Sequence, residues 1–147
     1  MPVIRDISAL DAYPLRIAVL RKGFDNPDVH YPQDDDPRSF HLGVFVDGAL
    51  VGVASFSPAP TPHRDGADAW QLRGMAIDDA QQGVGLGSLL IDEARRRVGA
   101  AGASVLWCNA RDTAIGFYEK LGFTVYGDGF RTADTGLPHH VMVCDLS

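Results

Sequence analysis

At 147 residues, with 46% hydrophobic and 22% charged residues, the chain is long enough to bury one core and reads as a single globular domain over 1–147. A formal net charge of −6 argues against a nucleic-acid or anionic-membrane surface, and no apolar run approaches the roughly 18–20 residues of a spanning helix. Met1–Leu10 lacks the cationic start and apolar stretch of a secretory signal, and Cys108 and Cys144 have no metal-type spacing, so a cytoplasmic protein with two reduced core thiols is expected.

Val3 and Ile4 begin a short first strand. Ser8 is placed to cap a helix, with Asp11 three residues on and Pro14 at an early helical position. Leu15, Ala18, Val19 and Lys22 follow along one side, and Gly23 ends it. Phe24–Arg38 reads as a long loop with three prolines and a run of aspartates, among them Asp34, Asp35 and Asp36. Those carboxylates either form a solvated surface or draw a cationic amine toward a site. Phe40–Val46 and Leu50–Phe56 are strand-like runs, and the Asp47-Gly48 pair between them predicts a type I′ hairpin. Pro58–Asp68 is a connector. None of His30, His41 and His63 falls in a metal-binding pattern.

Trp70–Ile77 is apolar and short enough for a buried strand, and it runs into Gly83, Gly85 and Gly87. Leu86, Leu89, Leu90, Ala94, Val98 and Ala101 then recur at helical spacing, so a helix opens inside the glycines. Arg95, Arg96 and Arg97 complement the C-terminal end of that helix, read as a solvated face. Ser104–Asn109 forms a second central strand, parallel to the first because a helix joins them. Asp112 or Thr113 is positioned to cap a helix through Phe117, Tyr118 and Lys120 that stops at Gly122. Phe123–Tyr126 reads as a strand, Gly127–Gly136 as a polar loop and His139–Leu146 as the last strand. The order predicts a mixed sheet with helices on both faces.

A glycine turn feeding a helix N-terminus presents unpaired N–H groups and a positive dipole end, which favours a phosphate. No lysine follows these glycines, which excludes a P-loop. A dinucleotide fingerprint fits weakly: Ser88 stands in the third glycine place, and Asn109 stands where an acid is wanted. Gln82-Gly83-Val84-Gly85-Leu86-Gly87 matches [RQ]-x-x-G-x-[GA], and Ala114–Phe123 (AIGFYEKLGF) matches A-x-x-F-Y-x-x-x-G-F. With the strand ending in Asn109, these segments resemble the GNAT family of N-acetyltransferases in order and spacing, over most of the chain.

That resemblance implies an α/β (α+β mixed) fold with a central, mostly antiparallel sheet, two splayed parallel central strands and helices on both faces. It implies an acetyltransferase that takes acetyl-CoA as co-substrate, needs no metal and acts on a small-molecule amine. Main-chain groups of Met75, Ala76 and Ile77 would pair with the pantetheine amides, and the N–H groups from Gln82 through Ser88 (Gly83, Val84, Gly85, Leu86 and Gly87 between) would hold the pyrophosphate. Asn109 resembles the family position that reaches pantetheine, and Phe117 is grouped with the coenzyme-binding residues. Tyr118 matches the tyrosine that protonates the departing thiolate, and a phenol with a pKa of about 10 is protonated at neutral pH. Gln71 occupies the strand position where some relatives carry a glutamate base, and an amide cannot take a proton. His139 and His140 are the substitute bases, since imidazole titrates near neutrality, and a water relay is the other route. Arg73 either orients an anionic acceptor group or is simply salt-bridged. Two further readings stand beside the enzyme: a non-catalytic acyl-CoA-binding module, and a nucleotide-dependent oxidoreductase. Homodimers are common in the family, and no feature of the sequence decides for or against one here.

Overall fold

The computed structural model describes residues 1–66 and 68–146. Seven strands form one sheet: β1 (Val3–Ile7), β2 (Phe40–Val46), β3 (Ala49–Pro58), β4 (Ala69–Ile77), β5 (Val105–Arg111), β6 (Thr124–Arg131) and β7 (Pro138–Asp145). Their order is β1-β2-β3-β4-β5-β7-β6. The parallel pair joins Ala69–Leu72 to Val105–Cys108, and α2 (Leu86–Ala100) is the crossover between them. β7 enters antiparallel between β5 and β6. α1 (Ala9–Leu15) and α3 (Ile115–Lys120) complete the regular helices.

The chain clusters into two compact units. Unit one comprises 1–57 and 73–94, and unit two comprises 58–72 and 95–147. In unit one, Ala12, Val53 and Ala76 form a buried cluster on which Ile7, Leu15, Val19, Leu20 and Leu50 pack. In unit two, Ala69, Val105, Trp107 and Val143 do the same with Ala59, Tyr126 and Val141, and the Trp107 indole N–H donates to the Ala59 carbonyl at 2.9 Å. Both cysteines are buried free thiols. No helix among the described residues is long and apolar enough to cross a membrane.

Local chemistry sets most boundaries. Ser8 accepts the Asp11 N–H while Asp11 accepts the Ser8 N–H, both at 3.1 Å, a reciprocal cap that starts α1. Asp47 and Gly48 both have positive φ (51° and 82°), as a type I′ turn requires. Four expectations need correction. The first helix does not continue as an α-helix to Lys22: after Leu15 it widens into a π turn over Arg16–Leu20. That turn carries Arg16 inward and leaves Ala18 and Lys22 exposed. Neither Asp112 nor Thr113 caps α3, whose N-cap is Ala114 with no side-chain bond, because the Asp112 carboxylate is drawn to His140. Gly127–Arg131 is not loop, because β6 runs through it to pair with the start of β7. Arg95, read as part of a solvated face, donates to the Leu121 carbonyl at the end of α3.

Candidate active site

Unit one holds the glycine turn. Asp78 accepts the Ala80 N–H at 3.0 Å and closes a single 3-10 turn over Asp79–Gln81. Gln82 folds back, its carboxamide donating to the Ile77 carbonyl at 3.0 Å and to Asp79 Oδ1 at 3.1 Å, while its own N–H turns to the Asp79 carbonyl at 3.5 Å. Asp79 is also ion-paired with Lys22. The turn is thereby tied to the end of β4. Gly83 and Gly85 have φ of +82° and +86°, values that L side chains rarely adopt. The Leu89 N–H reaches the Gly85 carbonyl at 3.3 Å, so the N–H groups of Gly85, Leu86, Gly87 and Ser88 precede the first helical bond and have no carbonyl within α2. No acidic residue lies in that first turn, so no carboxylate there offsets the positive helix end. Met75, Ala76 and Ile77 lead into this turn, with Ala76 buried and its two neighbours half-buried.

Unit two holds the other predicted residues. Asn109 is exposed on β5, and Ala110 and Arg111 lie opposite His140 and His139 across the β5–β7 ladder. The Tyr118 ring is buried between Phe117 and Phe123, edge-on to both, with centroids at 5.0 and 5.4 Å. Burial, reinforced by Cys108, pushes the Tyr118 phenol well above its ordinary value, and burial alone does the same to the Cys108 thiol. Phe117 itself is partly exposed. His139 is buried, stacked on Phe130, with Nδ1 2.8 Å from the Leu137 carbonyl. A carbonyl only accepts, so Nδ1 carries the hydrogen of that contact. His140 is half-buried, and its Nδ1 lies 2.7 Å from Asp112 Oδ1. The adjacent histidines thus meet different surroundings, as alternation along a strand requires. Gln71, in the place of a strand glutamate, is a buried amide.

A polar cluster in unit one escaped the sequence reading. Arg16 is completely buried and donates to the Val29 carbonyl (2.9 Å), to both oxygens of Asp34 (2.7 and 3.0 Å) and to Ser55 Oγ (2.7 Å). Its guanidinium also lies over the Tyr31 ring at 4.5 Å. Gly74, at φ +63°, makes room for it: a Cβ there would lie 2.9 Å from Arg16 Nε. An arginine within a helical run carries no sequence signal of burial. Ser55 and Ser57, two apart in the apolar strand β3 and so on one face, were the available hint. The loop carboxylates are already engaged: Asp34 with Arg16, Asp35 with His30 (3.1 Å) and Asp36 with Arg38 (2.8 Å). No group of three or more His, Cys, Asp or Glu is arranged to hold a metal ion among the described residues.

Residues 9–123 match the acetyltransferase (GNAT) family. The chain belongs to the GNAT family. It is 37% identical over 140 residues, 95% of this chain and 93% of the relative, to the uncharacterised N-acetyltransferase YitI of Bacillus subtilis (strain 168). The fold is shared with FeeM, an N-acyl amino acid synthase from uncultured soil microbes (TM-score 0.84, 14% identity, 99% of this chain and 91% of that one). It is shared too with an aminoglycoside 6′-N-acetyltransferase complexed with coenzyme A (TM-score 0.74, 15% identity, 99% and 97%). As a GNAT member the chain is an acetyl-CoA-dependent acyltransferase. The oxidoreductase reading falls with the sheet, which is mostly antiparallel with one parallel pair rather than the parallel sheet of a dinucleotide fold.

Proposed function

We propose that this GNAT chain transfers the acetyl group of acetyl-CoA to a primary amine of a small molecule by direct attack in a ternary complex. The observation that carries the reading is the run of N–H groups at Gly85–Ser88, ahead of the first helical bond of α2 and with no acid in the turn. Such an array suits the diphosphate of a coenzyme. Main-chain groups of Met75–Ile77 pair with the pantetheine amides, and Asn109 and Phe117 contact the coenzyme.

Acyl transfer from a thioester then needs three services. The attacking amine must lose a proton, the tetrahedral oxyanion must be met by donors, and the thiolate must be protonated on leaving. Tyr118 supplies the last proton, since its environment keeps the phenol protonated throughout the physiological range. A histidine on β7 takes the amine proton, and His139 and His140 each have Nδ1 engaged, which leaves Nε2 for that role.

The test is thiol release from acetyl-CoA in the presence of polyamines, amino acids, aminoglycosides or peptide N-termini. Amine-dependent release with an equal yield of N-acetylated product is expected for at least one class. Bound acetyl-CoA with no release for any of them contradicts the transfer and leaves a binding module.

A further inference from the structure

His139 and His140 are not equivalent. Side chains alternate along a strand, so β7 turns His140, Met142 and Cys144 to one face and His139, Val141 and Val143 to the other. α3 packs against β5 and β7, and two contacts place it on the Cys144 face. Arg95 donates to the Leu121 carbonyl at the end of α3 and lies 3.8 Å from Cys144 Sγ. Cys108, opposite Met142 in the β5–β7 ladder, also acts electrostatically on the Tyr118 phenol. Tyr118 and His140 therefore share a face, and His140 stands one pleat beyond Met142, about 7 Å along the strand. His139 lies on the opposite face, buried and stacked on Phe130. The His140 side chain is 26% exposed, so its ring has access to water.

Two neighbours hold the His140 ring. Asp112 opens the 3-10 turn that leads into α3, and its Oδ1 lies 2.7 Å from His140 Nδ1. A carboxylate accepts, so Nδ1 carries the hydrogen of that contact and Nε2 is left for proton uptake. Asp112 makes this bond instead of capping α3, whose N-cap Ala114 has no side-chain bond. From β6, Gly129 leaves space for the other edge of the ring: a Cβ there would lie 2.9 Å from Cε1 and 3.0 Å from Nε2. Gly129 falls within the register shift between Tyr126 and Phe130, where the strand bends beside the ring.

We propose that His140, rather than His139, is the base for the attacking amine, and that Asp112 and Gly129 are positioning residues acting through its ring. The assignment rests on the acetyl-transfer reading. Nε2 takes a proton from the acceptor nitrogen as that nitrogen bonds to the acetyl carbon. The carbon–sulfur bond breaks, and the departing thiolate takes the Tyr118 proton. One proton is gained and one is given, and exchange with water restores both groups.

The test follows thiol release from acetyl-CoA by the full chain, with spermidine, glycine and kanamycin offered in turn, and calorimetry of acetyl-CoA binding alongside. His140→Gln is expected to lower kcat by about a hundredfold or more, at least tenfold further than His139→Gln, with little change in KM for acetyl-CoA. Imidazole added to His140→Ala is expected to restore at least a tenth of the parent kcat. Asp112→Ala and Gly129→Ala leave both histidines in place and are each expected to lower kcat about tenfold. The φ of Gly129 lies outside the left-handed region, so alanine there acts on the ring and not through backbone strain. At pH 9, where an ordinary imidazole is uncharged, nitrogen NMR of the parent should place the His140 hydrogen on Nδ1, and Asp112→Ala should share it with Nε2. An equal or larger loss in His139→Gln, or no rescue by imidazole, overturns the base. Full kcat in Asp112→Ala and Gly129→Ala, or a hydrogen on Nε2 in the parent, overturns the positioning. Acetyl-CoA bound by the parent with no release for any amine strikes the acetyl-transfer reading, whereas release that persists in His140→Gln strikes only the assignment of His140.

Discussion

Replacing Arg16 with methionine will lower the unfolding free energy by about 3–5 kcal/mol, the cost of stranding a buried charge without its partner. Arg16 is entirely buried, the Asp34 side chain is 3% exposed, and their two-pronged bond at 2.7 and 3.0 Å is joined by the Val29 carbonyl and Ser55. Methionine fills most of the volume but leaves the Asp34 carboxylate and the Val29 carbonyl without those donors. The double variant Arg16→Met with Asp34→Leu removes both charges and recovers a large part of the loss, because the penalty lies in the unpaired ion more than in the missing pair. Denaturant melts of the three proteins read this directly. A single variant within about 1 kcal/mol of the parent would mean that the cluster carries no structural weight.

The same cluster sets the response to acid. His41 has a folded-state pKa below its unfolded value near 6.5. The unfolded chain therefore binds more protons there, and stability falls as the pH drops through about 6.5. At Asp34, burial pushes the pKa up, but the Arg16 bonds, the Tyr31 N–H and the nearby charges outweigh it, and the net shift is downward. The stability it contributes is present above the usual carboxylate range and is lost as pH falls through its folded value. Both groups act in the same direction, and His41→Asn flattens only the upper part of the acid limb in a melting-temperature series.

Tyr118→Phe will reduce kcat by about a hundredfold or more, the scale expected for losing a positioned general acid. The change removes one oxygen and keeps the ring contacts with Phe117 and Phe123, so the fold and the affinity for acetyl-CoA should change little. That split separates proton donation from packing: a ring that only packs would leave kcat intact. The raised pKa also places any alkaline loss of activity from this residue above pH 10. Full kcat in Tyr118→Phe with a good acceptor removes the residue from the chemistry.

The elements that local rules govern were legible in the sequence. The Ser8–Asp11 cap, the Asp47-Gly48 turn, the strand–glycine–helix passage from β4 into α2 and the parallel partner strand all follow from spacing and turn chemistry. What escaped depends on contacts between distant residues. The π turn at Arg16–Leu20 exists to aim Arg16 at Asp34, Val29 and Ser55, 13 to 39 residues away, and helical periodicity holds no record of that. Asp112 has the chemistry of a helix cap and is drawn off by His140, 28 residues later. Gly127–Arg131 looks polar enough for a loop, yet β7 gives its later residues a ladder partner. At the candidate site, the glycine turn and the tyrosine were visible as motifs. The buried contacts of Ser55 with Arg16 and His41 were not, because serine and histidine within apolar strands signal burial only once the strand faces are known.

The most direct test of the central claim, that the amides opening α2 grip the coenzyme's diphosphate, is calorimetric titration of acetyl-CoA into the parent and into Gly85→Asp. Nothing lies within 4 Å of a Cβ built at Gly85, so the variant places a negative charge among the N–H groups that open α2, together with some backbone strain at φ +86°, which the spectrum of the variant monitors. Saturable one-to-one binding to the parent is predicted, weakened at least tenfold in the variant, about 1.4 kcal/mol or more, with an unchanged circular dichroism spectrum. Equal affinity in the two proteins, or no binding to the parent, contradicts the account.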